Sequence, residues 1–331
     1  AAALRRPQEG DTFYINEFIE HVGEGSMKKL YFICNLHSGK AALSGSLAKI
    51  IDLFTANGYE VTVHPTQHAG DGCEKAKLAC QSGTYDLIVC SGGDGTLNEI
   101  IQGCMTSGQM LPIGYIPTGS TNDFARGLGI PKHMNEAVLG IIHGHPFSCD
   151  IGKFNQKYFT YVAAFGAFTD IAYETPQQFK NVLGHAAYLL NGIAKLSKIR
   201  ACRMRIEYDA VCLEGEFLLG MVTNSTSVGK LLSLSEVEWD DGVFEVMLIK
   251  KPDNLIQFQK IISCLVNLQL GTEREYFQYF RAAKIKFTTL QETDVPWTID
   301  GEYGGCERIN VIENCQKAVP LLIPETPALT D

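Results

Sequence analysis

The feature that most restricts the fold of this chain is a glycine cluster set between an apolar run and an amphipathic one. Residues 87–91 (Leu-Ile-Val-Cys-Ser) lead straight into Gly92-Gly93-Asp94-Gly95-Thr96-Leu97-Asn98, and residues 96–105 continue with helical spacing. A short apolar run that ends in glycine reads as a buried strand, so strand, tight turn and helix are expected in succession. Three glycines at that junction let backbone N–H groups approach an anion without interference from a Cβ. The helix N-terminus adds a favourable partial charge, about 0.3–1 kcal/mol near a surface. A nucleotide phosphate suits such a loop; a plain strand-to-helix turn is the alternative that the loop alone leaves open.

A second polar loop, Pro117-Thr118-Gly119-Ser120-Thr121-Asn122-Asp123-Phe124-Ala125-Arg126, comes after the next short strand at 113–116. The rest of the first half alternates in the same way. The spacing predicts strand 30–35, helix 43–57 ended by Gly58, strand 60–65, helix 71–81 after an Ala-Gly-Asp-Gly turn, a helical turn at 121–127 and helix 135–144. This alternation predicts a parallel sheet covered on both faces, a doubly wound αβα arrangement. Such sheets bind ligands beyond the carboxyl ends of their strands, so two polar loops at consecutive strand ends make one expected site.

From about Asp150 the pattern changes. Residues 157–165, 204–208, 211–223, 243–249, 283–289 and 296–299 read as strands, interrupted by helical stretches at 177–199 and 254–270. The expected organisation is α/β plus β: a nucleotide-binding domain over 27–150, an antiparallel β-sandwich-type substrate domain over 151–315, and a segment 316–331 returning to the first domain. The site is expected in the cleft between the two domains. Residues 1–26 have neither the apolar core of a signal peptide nor a periodic pattern, and they precede a Met27-Lys-Lys-Leu-Tyr-Phe-Ile run that looks like a natural start. They are expected to be disordered or a leader foreign to the natural chain, with a regulatory arm as the alternative.

With 331 residues, 45% of them hydrophobic, the chain can fill two cores. A formal charge of -9 argues against a nucleic-acid binder, which would need surplus Lys and Arg to neutralise phosphates. The 11 cysteines form no CxxC pair and no cluster at zinc spacing, so a reducing cytosol is the expected setting. No apolar run approaches the roughly 18 residues that span a bilayer, and any membrane contact would be peripheral.

Together, GGDGTLNE at 92–99 and PTGSTNDFAR at 117–126 resemble the catalytic domain of diacylglycerol kinases, especially the soluble bacterial lipid kinases, over about residues 27–324. Sphingosine and ceramide kinases share the fold, and NAD kinases and 6-phosphofructokinases share a GGDGT-like loop, so the second motif narrows the choice. The resemblance implies ATP as co-substrate, Mg²⁺ and a diacylglycerol-like acceptor. Asn35-Leu36-His37-Ser38-Gly39-Lys40 is similar to the family's first nucleotide loop, with Leu36 where a proline is usual. The implied nucleotide contacts are Asn35, Ser38, Gly39, Lys40, Thr66, Gly92, Gly93, Asp94, Gly95, Thr96, Leu97, Asn98 and Ser120; His37 reads as a surface loop residue.

Phosphoryl transfer needs charge neutralisation, donors that hold the phosphates, and a carboxylate for the attacking hydroxyl. Asp94 and Asp123 lie in the two loops and are expected to reach the catalytic Mg²⁺ directly or through water. Asp300-Gly301-Glu302 resembles the family's C-terminal active-site signature. In an extended chain the two acids would share a face, with Glu302 as general base and Asp300 in support; an acidic β-turn is the alternative. The 238–243 stretch, Glu-Trp-Asp-Asp-Gly-Val, resembles a second-domain metal turn with Glu238, Asp241 and the Val243 carbonyl as ligands, although Asp-Gly is also a hairpin signal.

Lys195, Lys198, Arg200, Arg203 and Arg205 come after an apolar helical stripe and are expected to help dock the chain on an anionic membrane, unless that stripe faces the core. The resemblance further suggests a homodimer. Two other readings stand beside the lipid kinase: an NAD kinase-like enzyme with a soluble acceptor, and a nucleotide-binding regulatory protein without catalysis. The second motif and the late Asp-Gly-Glu argue against the first, and the four acids Asp94, Asp123, Asp300 and Glu302 against the second.

Overall fold

The structure, a computed structural model, describes residues 27–38, 42–120, 122–166, 201–224, 238–267 and 275–325. It separates into two compact units. One holds the described residues up to Cys149 together with those from Ala318 onward, and the other is Asp150–Lys317.

In the first unit, β1 (Lys28–Cys34), β2 (Tyr59–Pro65), β3 (Leu87–Gly92) and β4 (Ile113–Pro117) pair in parallel in the order β2-β1-β3-β4. Leu321 and Leu322, near the end of the long strand Ile309–Ile323, add a parallel neighbour to β4. Every residue of β3 and β4 is buried, the pattern of strands covered on both faces. Helices α1 (Ala42–Ala56), α2 (Asp71–Ser82) and α3 (Asp94–Ser107) link them, and α4 (Asp123–Gly127) and α5 (Met134–His143) follow β4.

Helix α3 buries Leu97, Ile100, Ile101 and Cys104, the i, i+3, i+4, i+7 stripe of an amphipathic helix. Against α2 it comes so close that a Cβ on Gly103 would collide with the Cys73 carbonyl. The chain steps outward from β1 to β2 and then back past β1 to β3, so the winding direction reverses between β1 and β3. A crevice at the carboxyl ends of strands forms at such a reversal.

The second unit is built from β5 (His145–Phe154, from Asp150 on), β6 (Lys157–Phe159), β7 (Val162–Gly166), β8 (Cys202–Tyr208), β9 (Val211–Thr223), β10 (Phe244–Lys250), α6 (Leu255–Asn267), β11 (Phe277–Ala282), β12 (Lys284–Thr289), β13 (Trp297–Ile299), β14 (Glu302–Gly305) and the first part of β15 (Ile309–Ile323). Strands β14-β13-β7-β9-β8-β12-β15 lie side by side in antiparallel pairs, and β10 joins β9 to β11. Trp297 anchors the core, fully buried, with Phe154, Phe165 and Phe287 at ring-centroid distances of 5.1, 4.8 and 4.9 Å. Tilted and edge contacts of this kind add about 0.5–1.5 kcal/mol per pair beyond area burial. A second cluster packs Ile261 and Cys264 of α6 against Met221, Met247 and Phe277.

One expected strand is divided. Residues 157–165 form β6 and β7 with a break at Thr160 and Tyr161, because the backbone amides there turn toward the Asp300 carboxylate instead of a neighbouring strand. The expected helix at 177–199, the basic residues Lys195, Lys198 and Arg200, and the leader 1–26 lie outside the described residues.

Candidate active site

Three loops leave the carboxyl ends of β1, β3 and β4, and hydrogen bonds tie them together. The Asn35 amide donates to the Ser91 carbonyl at 2.8 Å, continuing the ladder between β1 and β3 one residue past β1. The Asn35 side chain reaches Thr96 Oγ1 at 3.5 Å, joining the first loop to the start of α3. Ser38 and Thr118 share a hydroxyl–hydroxyl bond of 2.7 Å, joining it to the loop after β4. The turn at Leu36 is closed by hydrogen bonds. His37 N–H donates to Asn35 Oδ1 at 2.9 Å and Ser38 Oγ donates to the Asn35 carbonyl at 2.8 Å. Gly39, Lys40 and Thr121 lie outside the described residues.

Gly92 and Gly119 are required by close approaches. A Cβ on Gly92 would collide with the Thr96 side chain, and one on Gly119 would lie 2.6 Å from Gly93 Cα, so the two polar loops touch backbone to backbone. A Cβ on Gly95 would meet nothing within 4 Å. That open space lies beside the first turn of α3, whose leading N–H groups have no partner within the helix itself, and it is where an anion fits. Asn122 holds the second loop in shape. It adopts φ +50°, is 5% exposed, accepts the Gly119 N–H at 3.0 Å and donates to the Gly119 carbonyl at 2.7 Å.

Asp94, half-buried at the start of α3, accepts the N–H groups of Asp123 at 3.2 Å and Phe124 at 3.3 Å and so caps α4 from the other loop. Asp123 lies 3.4 Å from Arg126. Thr66 donates its N–H to the Cys34 carbonyl at 2.9 Å, which sets it at the base of the first loop. Ser120 is exposed, Asn98 Oδ1 is buried without a hydrogen-bond partner among the described residues, and Ser91 Oγ likewise. Leu97 contributes packing, since its side chain is 1% exposed and its N–H is bonded to the Gly93 carbonyl at 3.1 Å.

In the second unit, Asp300 and Glu302 do not sit on one face of an extended strand. Asp300 (φ +47°) and Gly301 (φ +84°) form the two-residue turn between β13 and β14, in which Ile299 faces Glu302. The Asp300 residue is half-buried, and its carboxylate accepts the N–H groups of Thr160 (2.7 Å), Tyr161 (2.9 Å) and Val162 (2.9 Å) and the Thr160 hydroxyl (3.1 Å). Burial pushes its carboxyl up to about 6, against the pull of those donors. Glu302, one residue past the turn, is exposed.

The 238–243 turn is held by Asp150, which is fully buried and accepts the Gly242 N–H at 2.7 Å, the Lys317 N–H at 2.8 Å and the Asn314 side chain at 3.1 Å. Asp241 accepts the Val243 N–H at 3.1 Å and pairs with Arg281, whose Nε lies 3.3 Å from the buried Glu245. Burial pushes the Glu245 carboxyl up to about 7 despite Arg281. Glu238 is exposed. Among the described residues no three His, Cys, Asp or Glu side chains gather as a metal cage. What the first unit offers instead is hard oxygen donors, Asp94 and Asp123, beside an open glycine cradle, and this suits Mg²⁺ carried in with phosphates. Of the basic run, Arg205 is paired with Glu214 at 2.6 Å across β8 and β9.

Known proteins resemble this chain in sequence and fold. Residues 29–154 match the diacylglycerol kinase catalytic domain. The chain is 34% identical to a diacylglycerol kinase of Bacillus subtilis over 299 residues, covering 89% of this chain and 97% of that protein. It is also 34% identical to one from Staphylococcus epidermidis over 90% of this chain and 93% of the relative. The crystal structure of a diacylglycerol kinase from Bacillus anthracis superposes with a TM-score of 0.70 over 91% of this chain and 98% of that one at 22% identity, a likeness of fold. With that identity sustained along nearly the whole length of its relatives, and with the two motifs joined at Gly93 and Gly119, the chain belongs to the diacylglycerol kinase catalytic-domain family.

Proposed function

We propose that the chain transfers the γ-phosphate of ATP to a lipid hydroxyl, with diacylglycerol or a close analogue as acceptor. The observation that carries this reading is the joining of three polar loops at one end of a parallel sheet, around the space beside Gly95 that a side chain would fill. Asn35, Ser38, Thr66 and the residues 92–96 are the nucleotide contacts in this reading, with Gly39, Lys40 and Ser120 beside them. Asp94 and Asp123 would hold Mg²⁺, which supplies positive charge against that of the phosphates. A further cation at Glu238, Asp241 and the Val243 carbonyl would have to share Asp241 with Arg281.

The two late acids have different parts. Every oxygen of Asp300 is engaged by backbone and hydroxyl donors, so Asp300 positions the turn, and the exposed Glu302 is assigned as the base that accepts the proton of the attacking hydroxyl. Glu302→Gln should lower kcat by about 10²–10⁴-fold at unchanged Tm. Normal turnover by the folded variant rejects the assignment.

The β-rich unit Asp150–Lys317 is taken as the lipid-side module, of β-sandwich type. No helix among the described residues is long and apolar enough to cross a membrane, and the reading is of a cytoplasmic enzyme that meets its lipid by peripheral contact, as a homodimer. The test is purified protein with γ-labelled ATP and mixed micelles of diacylglycerol, ceramide, a polyprenol or phosphatidylglycerol, with NAD as a soluble control. Magnesium-dependent label in the lipid extract, strongest with diacylglycerol, is expected; label in NAD alone rejects the lipid reading.

A further inference from the structure

Glu99 lies on α3 just past the glycine loop, yet its carboxylate is directed to another element. Its Oε1 accepts the Gly70 N–H at 2.9 Å and its Oε2 the Gly72 N–H at 3.2 Å, 29 and 27 residues away. Gly70 is the left-handed N-cap of α2 (φ +86°) and has no side-chain cap of its own, so the acid that caps α2 comes from α3. A Cβ on Gly72 would stand 2.9 Å from Glu99 Oε2 and 3.4 Å from Glu99 Cβ, so alanine there would press on the carboxylate that makes the cap. Between β2 and this cap runs the 66–70 connection, whose first residue, Thr66, is bonded to the Cys34 carbonyl at the base of the first loop.

We propose that Glu99 is a positioning residue for nucleotide binding: it fixes the connection that carries Thr66 relative to the glycine loop at the head of its own helix. The proposal rests on the nucleotide reading of the three loops. Two charge-assisted bonds to backbone amides make a rigid link, and a helix start already occupied by a carboxylate cannot itself take a phosphate. The loop after β3 is thereby left as the phosphate site, with the loop after β2 as its side wall.

The test compares wild type, Glu99→Gln, Gly72→Ala and, as a control, Glu74→Gln at an exposed acid in the first turn of α2. Calorimetric titration with Mg·ATP, KM for ATP and for the lipid, kcat and Tm are measured for each. Glu99→Gln and Gly72→Ala should weaken ATP binding and raise its KM about tenfold, with lipid KM and saturated kcat unchanged, while Glu74→Gln matches wild type. Gly72→Ala keeps helix propensity, so the fold persists in at least one test variant. Wild-type ATP binding with unchanged affinity in both variants overturns the role of Glu99 alone. Parallel loss of kcat, both KM values and Tm makes Glu99 a fold residue and also overturns it. A wild type that binds no ATP overturns the nucleotide reading itself, and the proposal with it.

Discussion

Two Gly-Asp-Gly sequences open consecutive helices of the same unit, Gly70-Asp71-Gly72 before α2 and Gly93-Asp94-Gly95 before α3, and their surroundings make them opposites. At the first, the amides of Gly70 and Gly72 are taken by Glu99, and Asp71 is 4% exposed with its Oδ2 against His64 Nε2 (3.0 Å) and the Gln67 N–H (2.8 Å). At the second, Gly93 is extended (φ -88°, ψ -177°), Gly119 lies against it, Gly95 faces open space, and the half-buried Asp94 caps α4 through two longer bonds. The same three residues thus make a closed, internally satisfied helix start and an open one. A helix N-terminus is a binding site only when the fold has not already supplied its anion.

The strongest way to break this comparison is to remove one charge from each. Asp94→Asn should lower phosphoryl transfer by about 10²–10³-fold, because it loses a cation ligand and the charge that fixes α4, with less than about 1 kcal/mol of stability lost. Asp71→Asn should leave kcat within about threefold of wild type. Steady-state rates at saturating ATP and lipid, together with Tm, decide it; equal losses in the two variants would mean that the two helix starts are not functionally distinct.

The glycine loop is legible in the sequence because its burial pattern and its chemistry coincide: a run of five apolar or small residues must be a buried strand, and the glycines at its end must turn the chain. Asp71 and Asp94 are harder to tell apart, since both are first residues of helices after glycine. What separates them is Glu99, and nothing local in sequence joins position 99 to positions 70 and 72. Thr118 and Asp150 are hidden for the same reason: their partners are Ser38 and the amides of Gly242 and Lys317. The geometry of the late acids differs from expectation. Period-two reasoning puts Asp300 and Glu302 on one face, but Asp-Gly takes positive φ at both positions, turns the chain, and directs Asp300 inward to the 160–162 amides. Those same bonds break the expected strand 157–165.

A smaller effect comes from the glycine that has room. Gly95→Ala introduces a Cβ that meets no protein atom within 4 Å and improves helix propensity by about 0.5–1 kcal/mol, so Tm should hold or rise. If phosphate oxygens approach the first turn of α3, the same methyl should raise KM for ATP about tenfold. Gly92→Ala has the reverse signature, because its Cβ collides with Thr96 and costs about 1–3 kcal/mol of stability before any ligand arrives. A Gly95→Ala variant with wild-type ATP affinity would move the phosphates elsewhere and remove the open half of the comparison.

The smallest effect is a pH signature confined to the closed helix start. Burial pushes the Asp71 carboxyl up, but the hydrogen bonds from His64 and from the Gln67 amide outweigh it and leave the group below its ordinary value. A carboxyl whose folded value lies below its unfolded one, about 3.9, contributes stability that is fully present above the unfolded value and drains away as pH falls through the folded one. Below about pH 5, clear of ordinary histidine titration, the stability difference between wild type and Asp71→Asn, about 1 kcal/mol, should therefore shrink as pH falls past about 4. Urea unfolding at pH 5, 4 and 3 measures it. A difference that stays constant from pH 5 to 3 would mean that Asp71 holds the 64–71 connection by shape and not by charge, and that the closed start needs no anion beyond Glu99.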